Sequence, residues 1–141
     1  MTEIRLTRHK YFISIAKLSA ERGTCNRAKV GAVATQDNRI IMSAYNGSPS
    51  GAGHCDDVGH YIIDEHCVRT VHAEQNIICQ CAKKGVALEG ATLYVTHEPC
   101  FLCMKLLISA GVKNVYYLNE KEDIRTPLEY YNLINVYKIK I

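Results

Sequence analysis

Apolar residues recur at helical spacing between Arg8 and Arg22, through Phe12, Ile13, Ile15, Ala16 and Leu18, and Gly23 follows as a stop. The period then changes. Residues 30–35 (VGAVAT) and 39–45 (RIIMSAY) are short apolar runs joined by Gln36-Asp37-Asn38, which tolerate turn conformations, so an antiparallel hairpin is expected. Residues 46–69 carry four glycines, three histidines and two cysteines with little periodicity. A loop this long inside a compact domain needs a function or a staple. Helical spacing returns from Val71 to Lys84 and closes at Gly85. Residues 91–97 (ATLYVTH) read as a strand, a helix opens at Pro99 and ends at Gly111, and residues 114–119 (NVYYLN) form another strand. The tail, residues 131–141, is a candidate fifth strand. Helix–strand alternation in the second half implies parallel neighbours beside the antiparallel pair of the first half. The expected architecture is a mixed sheet flanked by helices.

Length and composition narrow this picture. A chain of 141 residues suits one hydrophobic core, so a single domain over residues 1–141 is expected. With 48% hydrophobic and 22% charged residues, a packed globular protein is affordable and a disordered or fibrous one is excluded. The net charge of +3 is scattered along the chain, which argues against a nucleic-acid surface and suits a small anionic ligand. Residues 1–12 lack the apolar core of a signal peptide, and no apolar run approaches the ~18–20 residues of a membrane span. A cytoplasmic location is the expectation.

Seven cysteines without a secretory signal point to metal or catalysis rather than to a disulfide framework. Cys100 and Cys103 form a Cys-x-x-Cys pair directly behind Pro99, at a helix start where unpaired N–H groups and the macrodipole favour thiolate. His72 also opens a helix. Two thiolates and one neutral imidazole are a zinc donor set that leaves the fourth tetrahedral position open, and water bound at such a position loses a proton near neutral pH. Glu74, two residues from His72, is not needed as a ligand and can serve as a proton shuttle. Each group alone has a plainer explanation: a redox pair, a satisfied core histidine, a carboxylate favouring a helix dipole. Together, His-x-Glu followed by Pro-Cys-x-x-Cys is a specific constellation of zinc deaminases.

At these residues, HAEQNII (72–78) and THEPCFLCMKLLISAGVKNVYY (96–117), the sequence resembles the cytidine deaminase superfamily, and in particular its deoxycytidylate (dCMP) deaminases. CNRAKVGAV (25–33) and YNGSPSGAGHCDD (45–57) resemble that family's nucleotide-site segments. The resemblance implies a three-layer α-β-α sandwich around a five-stranded mixed sheet, and hydrolysis of dCMP to dUMP and ammonia, supplying the precursor of thymidylate. It implies that His72, Cys100 and Cys103 bind the catalytic zinc and that Glu74 carries protons to N3 of cytosine and to the departing amine. It implies that Asn46 contacts the substrate. Arg27 is the candidate for its 5′-phosphate, because a planar guanidinium can donate two parallel hydrogen bonds.

Some members of the family carry a second, structural zinc, and Cys25 and Cys55 fall at the matching places. Cys67 is the third candidate ligand, with Thr70 standing where a carboxylate would be expected. The fourth is His60 or His66. His60 is preferred, because adjacent residues such as His66 and Cys67 seldom aim at one ion. A closed tetrahedral site would staple the long loop. Cys79 and Cys81 are expected in the core of their helix.

The resemblance further implies activation by dCTP with magnesium, inhibition by dTTP, and assembly into homo-oligomers, often hexamers. Residues 46–51 (NGSPSG) offer backbone N–H groups that could cradle such an effector's phosphates. Two other readings compete. One is a superfamily deaminase acting on tRNA adenosine, guanine or a riboflavin precursor. The other is a non-catalytic zinc module, which would have no use for Glu74 beside an open position.

Overall fold

The computed structural model describes residues 4–140. Met1–Glu3 of the expected single domain, and Ile141 of the expected tail strand, lie outside the described residues. In chain order the elements are α1 (Arg8–Ala20), β1 (Gly31–Gln36), β2 (Arg39–Tyr45), the single turn α2 (Cys55–Val58), β3 (Ile62–Ile63), β4 (His66–Cys67), α3 (Ala73–Lys84), β5 (Thr92–His97), α4 (Phe101–Ser109), β6 (Asn114–Asn119), a 3-10 turn (Leu128–Asn132) and β7 (Asn135–Lys138).

The expected hairpin forms. Asp37 and Asn38 both adopt positive φ, at 51° and 60°, the backbone that a two-residue turn requires and that Asn and Asp tolerate best. Ala34 pairs with Met42 but Thr35 with Ile40, so Ile41 is the extra residue of a bulge. β1 then pairs antiparallel with β5, and β5, β6 and β7 run parallel, giving the order β2-β1-β5-β6-β7. The mixed five-stranded sheet is the expected one, and its fifth strand is shorter than the tail suggested, preceded by a 3-10 turn that no periodicity announced.

Alternation along β1 and β5 divides the core between two faces. Ala32, Ala34, Leu93 and Val95 point to one side and meet Ile77 of α3 and Met104 and Leu107 of α4. Val33 and Tyr94 point to the other and meet Phe12, Ile13 and Ala16 of α1. Three layers result, α1 on one face and α3 with α4 on the other. Each fully buried Ile or Leu contributes about 1.5–3 kcal/mol of transfer free energy. α1 lies so close to the sheet that a Cβ at Gly31 would collide with the Ala16 carbonyl oxygen and the Ala20 nitrogen.

β2 and β5 both run antiparallel to β1 and so point the same way, and α3 and α4, the long helices that come after them, start at the same edge of the sheet. The long segment 46–69 is partly structured: α2 occupies one turn, and β3 and β4 form a small hairpin whose turn residues Asp64 and Glu65 have φ of 49° and 67°. No helix among the described residues is long and apolar enough to cross a membrane.

On the α1 face, Tyr94, Tyr116 and Tyr137 stack across β5, β6 and β7 with ring centroids 5.2 and 5.0 Å apart, and His9 Nδ1 lies 2.7 Å from the Tyr94 hydroxyl. Burial, with a smaller push from Tyr116, raises the Tyr94 phenol to about 12. The folded protein therefore holds this proton more tightly than the unfolded chain, whose tyrosines titrate near about 10. The stabilisation is complete below that value and disappears as pH rises towards 12. Urea midpoints at about pH 9 and about pH 11 should fall further for the wild type than for Tyr94→Phe, whereas equal falls would contradict the shift.

Candidate metal centres and active site

α3 and α4 begin in the same way. Each is preceded by a residue in extended backbone, His72 with φ −65° and ψ 153° and Cys100 with φ −72° and ψ 171°, so both donor side chains hang from an N-cap position. His72 N–H donates to Gln75 Oε1 at 2.9 Å, which fixes the entry of α3. Pro99 stands just before the N-cap of α4 rather than inside the helix, and Cys103 occupies its third position. These starts bring the His72 Nδ1, Cys100 Sγ and Cys103 Sγ atoms within 4.8 Å of one another. Nδ1 lies 3.2 Å from Cys103 Sγ and 3.7 Å from Cys100 Sγ. Edges of that length fit a tetrahedron with metal–ligand bonds of ~2.0–2.3 Å, as zinc forms with imidazole and thiolate.

The electrostatics follow from the crowding of these donors. Without metal, the Cys103 thiol donates to Cys100 and, with His72, pulls the Cys100 thiol down to about 3. The same contact and burial push Cys103 far above its usual range. Cys100 raises the pKa of His72. A divalent cation held between the two sulfurs would favour thiolate at both. Glu74, at the second position of α3, is only 5% exposed, and burial raises its carboxyl pKa.

A second group lies in the 46–69 segment and the turn before β1. Donor atoms of Cys25, Cys55, His60 and Cys67 also lie within 4.8 Å of one another. Cys25 Sγ is 3.4 Å from His60 Nδ1, and Cys55 Sγ is 3.5 Å from Cys67 Sγ. His60, not the exposed His66, joins the group. His60 turns its other nitrogen, Nε2, to Asn26 Oδ1 at 2.9 Å, the outer contact that orients a ligating imidazole. Four donors around one point form a closed set, unlike the three beside Glu74.

Asn46 is buried and braces the chain: its Oδ1 accepts from Val30 N–H at 2.8 Å and its Nδ2 donates to Ala28 O at 2.7 Å. Arg27 is exposed, with Nη2 donating to Glu65 O at 3.0 Å in the β3–β4 turn. Cys81 is buried as expected, but Cys79 is exposed, so the core expectation fails for it. Helix α3 turns Ile77 and Cys81 to the sheet, four residues apart, and Cys79 falls between them on the far side. Residues 47–54 border a groove of about 490 Å³ against β2 and α3, lined by Tyr45, Ser48, His54, Asn76 and Gln80 among others. Ser48 Oγ and His54 Nδ1 are buried there without a partner among the described residues. Sequence reading passed over Gln75, Asn26 and Asp123, the last of which accepts from Phe101 N–H at 2.8 Å. Only Gln75 had a local signal, its three-residue spacing from the N-cap.

Three donors with one tetrahedral position to spare, next to a buried carboxylate, are the makeup of a hydrolytic zinc centre rather than a purely structural one. The chain belongs to the family of the cytidine and deoxycytidylate deaminase zinc-binding region, whose model matches residues 6–119. It is 49% identical over 122 residues to ComE operon protein 2 of Bacillus subtilis, covering 86% of this chain and 63% of that protein, so it spans less than two thirds of that relative's length. It is 38% identical over 122 residues to the deoxycytidylate deaminase of Mycobacterium phage D29, covering 79% of this chain and 94% of the phage protein. The fold matches the crystal structure of the cyanophage S-TIM5 dCMP deaminase in complex with dCMP and dUMP with a TM-score of 0.78, 30% identity, and coverage of 97% of this chain and 100% of that one.

The second group also pairs one lowered thiol with one raised. Burial raises Cys67, but N–H groups of Arg69 and Tyr61 and the neighbouring Cys55 outweigh it and hold this thiol at about 6. Burial and the Cys67 contact push Cys55 up to about 12. In metal-free protein at about pH 7, iodoacetamide should therefore modify Cys67 at least about tenfold faster than Cys55, as read by peptide mass spectrometry. Equal rates would contradict this ordering.

Proposed function

We propose that this chain, acting as one domain, hydrolyses dCMP to dUMP and ammonia. The observation that carries this reading is the convergence of His72, Cys100 and Cys103 beside buried Glu74 in a chain of this family. The substrate is drawn from the phage relatives, one a deoxycytidylate deaminase by name and one crystallised with dCMP and dUMP.

In this reading His72, Cys100 and Cys103 hold the catalytic zinc. A zinc ion held there supplies the Lewis acidity that brings the pKa of water close to neutral. Glu74 takes one proton from the water that adds to C4 of the cytosine ring and passes it to N3, where it stays; it then takes the second proton from the resulting C4 hydroxyl and delivers it to the amine as the C4–N bond breaks and the C4 carbonyl forms. Its burial suits this role, because a carboxyl with a raised pKa holds a proton between one transfer and the next. Asn46 keeps one amide hydrogen beyond its bond to Ala28 O for the substrate. Arg27 keeps guanidinium N–H groups beyond the bond to Glu65 O for the 5′-phosphate. A second, structural zinc is held by Cys25, Cys55, His60 and Cys67, stapling the 46–69 segment. The product feeds thymidylate synthesis, and the setting is cytoplasmic.

The test places dCMP, CMP, deoxycytidine and dCTP side by side with zinc determined on the same preparation. The expected outcome is turnover of dCMP with about two zinc ions per chain, and a fall in kcat of about a hundredfold or more for Glu74→Gln with zinc content unchanged. Full activity of that variant would end the proton-shuttle reading. Turnover of none of the four would remove the substrate assignment.

Regulation by dCTP with magnesium and by dTTP, within a homo-oligomer such as a hexamer, belongs to the same reading. The groove at residues 47–54, lined by Ser48 and His54 among others, supports it, being of a volume that suits a nucleotide. Velocity against dCMP should be sigmoidal alone and hyperbolic with dCTP and magnesium. Two superimposed hyperbolas would rule out activation.

A further inference from the structure

The match to the family model ends at residue 119, and the chain that follows turns back across the start of α4. It is pinned on both sides of the turn that carries Cys100. Before it, Glu98 Oε1 accepts from Lys121 N–H at 3.2 Å, and Glu98 N–H donates to Asn119 O at 2.9 Å. After it, Asp123 Oδ2 accepts from Phe101 N–H at 2.8 Å.

Asp123 is itself held by Arg125. The Arg125 backbone N–H and Nε donate to Oδ1 at 3.0 and 2.9 Å, and Nη2 donates to Oδ2 at 2.8 Å. The carboxylate is 13% exposed and the arginine 59%. The arginine also lies over the Phe101 ring, 5.8 Å from its centroid, and Tyr130 stacks on the same ring at 6.0 Å and 9°.

This arrangement answers a problem set by the site. A helix start needs an acceptor for its free N–H groups, normally an Asp, Asn, Ser or Thr at the N-cap. Here the N-cap is Cys100, which makes no side-chain cap bond and whose sulfur faces His72. The acceptor has to come from elsewhere in the chain. It comes from a position 22 residues on, with an arginine that offsets the extra negative charge beside two sulfurs.

We propose that Asp123 is a positioning residue for the zinc site: it caps α4 in place of Cys100 and so fixes the first turn from which Cys100 and Cys103 reach the metal, while Arg125 orients it. The inference rests on His72, Cys100 and Cys103 being zinc ligands. Asp123 touches neither the metal nor the substrate. Its loss acts on how long the metal stays, as the loss of an outer-shell contact does elsewhere, by about 10–100-fold in affinity.

The test is zinc transfer from the full-length protein to a chromogenic chelator, with Cys100→Ala as reference. The reference should carry one zinc fewer than the wild type. If both carry the same zinc, the ligand assignment falls and the inference with it. With that assignment secure, Asp123→Ala should release one equivalent at least about tenfold faster than the wild type, the other equivalent keeping its rate. In zinc-saturated assays its KM for the substrate should be unchanged while kcat falls. Asp123→Asn, whose amide oxygen can still accept from Phe101 N–H, should recover most of the retention. Arg125→Gln should lie between and guards against misfolding of the alanine variant. Release at the wild-type rate from both Asp123→Ala and Arg125→Gln would overturn the proposal.

Discussion

Two sulfurs held side by side in a protein interior cannot both be anionic unless positive charge is brought to them, and much of this structure is arranged around that condition. Because β2 and β5 both run antiparallel to β1, α3 and α4 leave from one edge of the sheet, so two helix N-termini face the same point. Their free N–H groups supply part of the charge, and a divalent cation suits the remainder. The contact between the two thiols lowers Cys100 and raises Cys103.

The same condition separates the two cysteine groups. Beside Glu74 there are three donors, and the carboxylate is buried where a proton carrier is useful. In the second group there are four donors and no carboxylate, a closed set with no position to spare. Cys25 precedes β1, Cys55 opens α2, and His60 and Cys67 flank and form the small hairpin. The donors thus converge from pieces that bury little apolar surface of their own, with Ile62 and Ile63 exposed on the hairpin.

The chain announced its elements where period and capping chemistry are local. Alternation in VGAVAT, the Asp37-Asn38 turn, and Gly85 after α3 all act within a few residues, and each is where expected. The donors of the first site were legible because each half of the constellation is short and opens a helix. The fourth donor of the second group could be narrowed to His60 or His66 by asking which side chains can converge, and the hairpin turns His60 inward. What could not be read was long-range: Asn26 against His60 across 34 residues, and Asp123 against Phe101 across 22. Such contacts depend on where the sheet carries the chain, not on spacing. Asn46 and Arg27 were read for their chemistry alone, and the fold engages both with backbone carbonyls as well.

The tyrosine stack has a consequence of a different kind. The protein has nine tyrosines, two phenylalanines and no tryptophan, so tyrosine dominates its near-ultraviolet signal. Three of those rings, Tyr94, Tyr116 and Tyr137, form one ordered array across β5, β6 and β7, on the α1 face of the sheet. The metal donors hang from α3 and α4 on the opposite face. Ring stacking at these distances fixes the rings relative to one another, so near-ultraviolet circular dichroism of the tyrosines would follow the packing of β5, β6 and β7 on the face away from the metal donors.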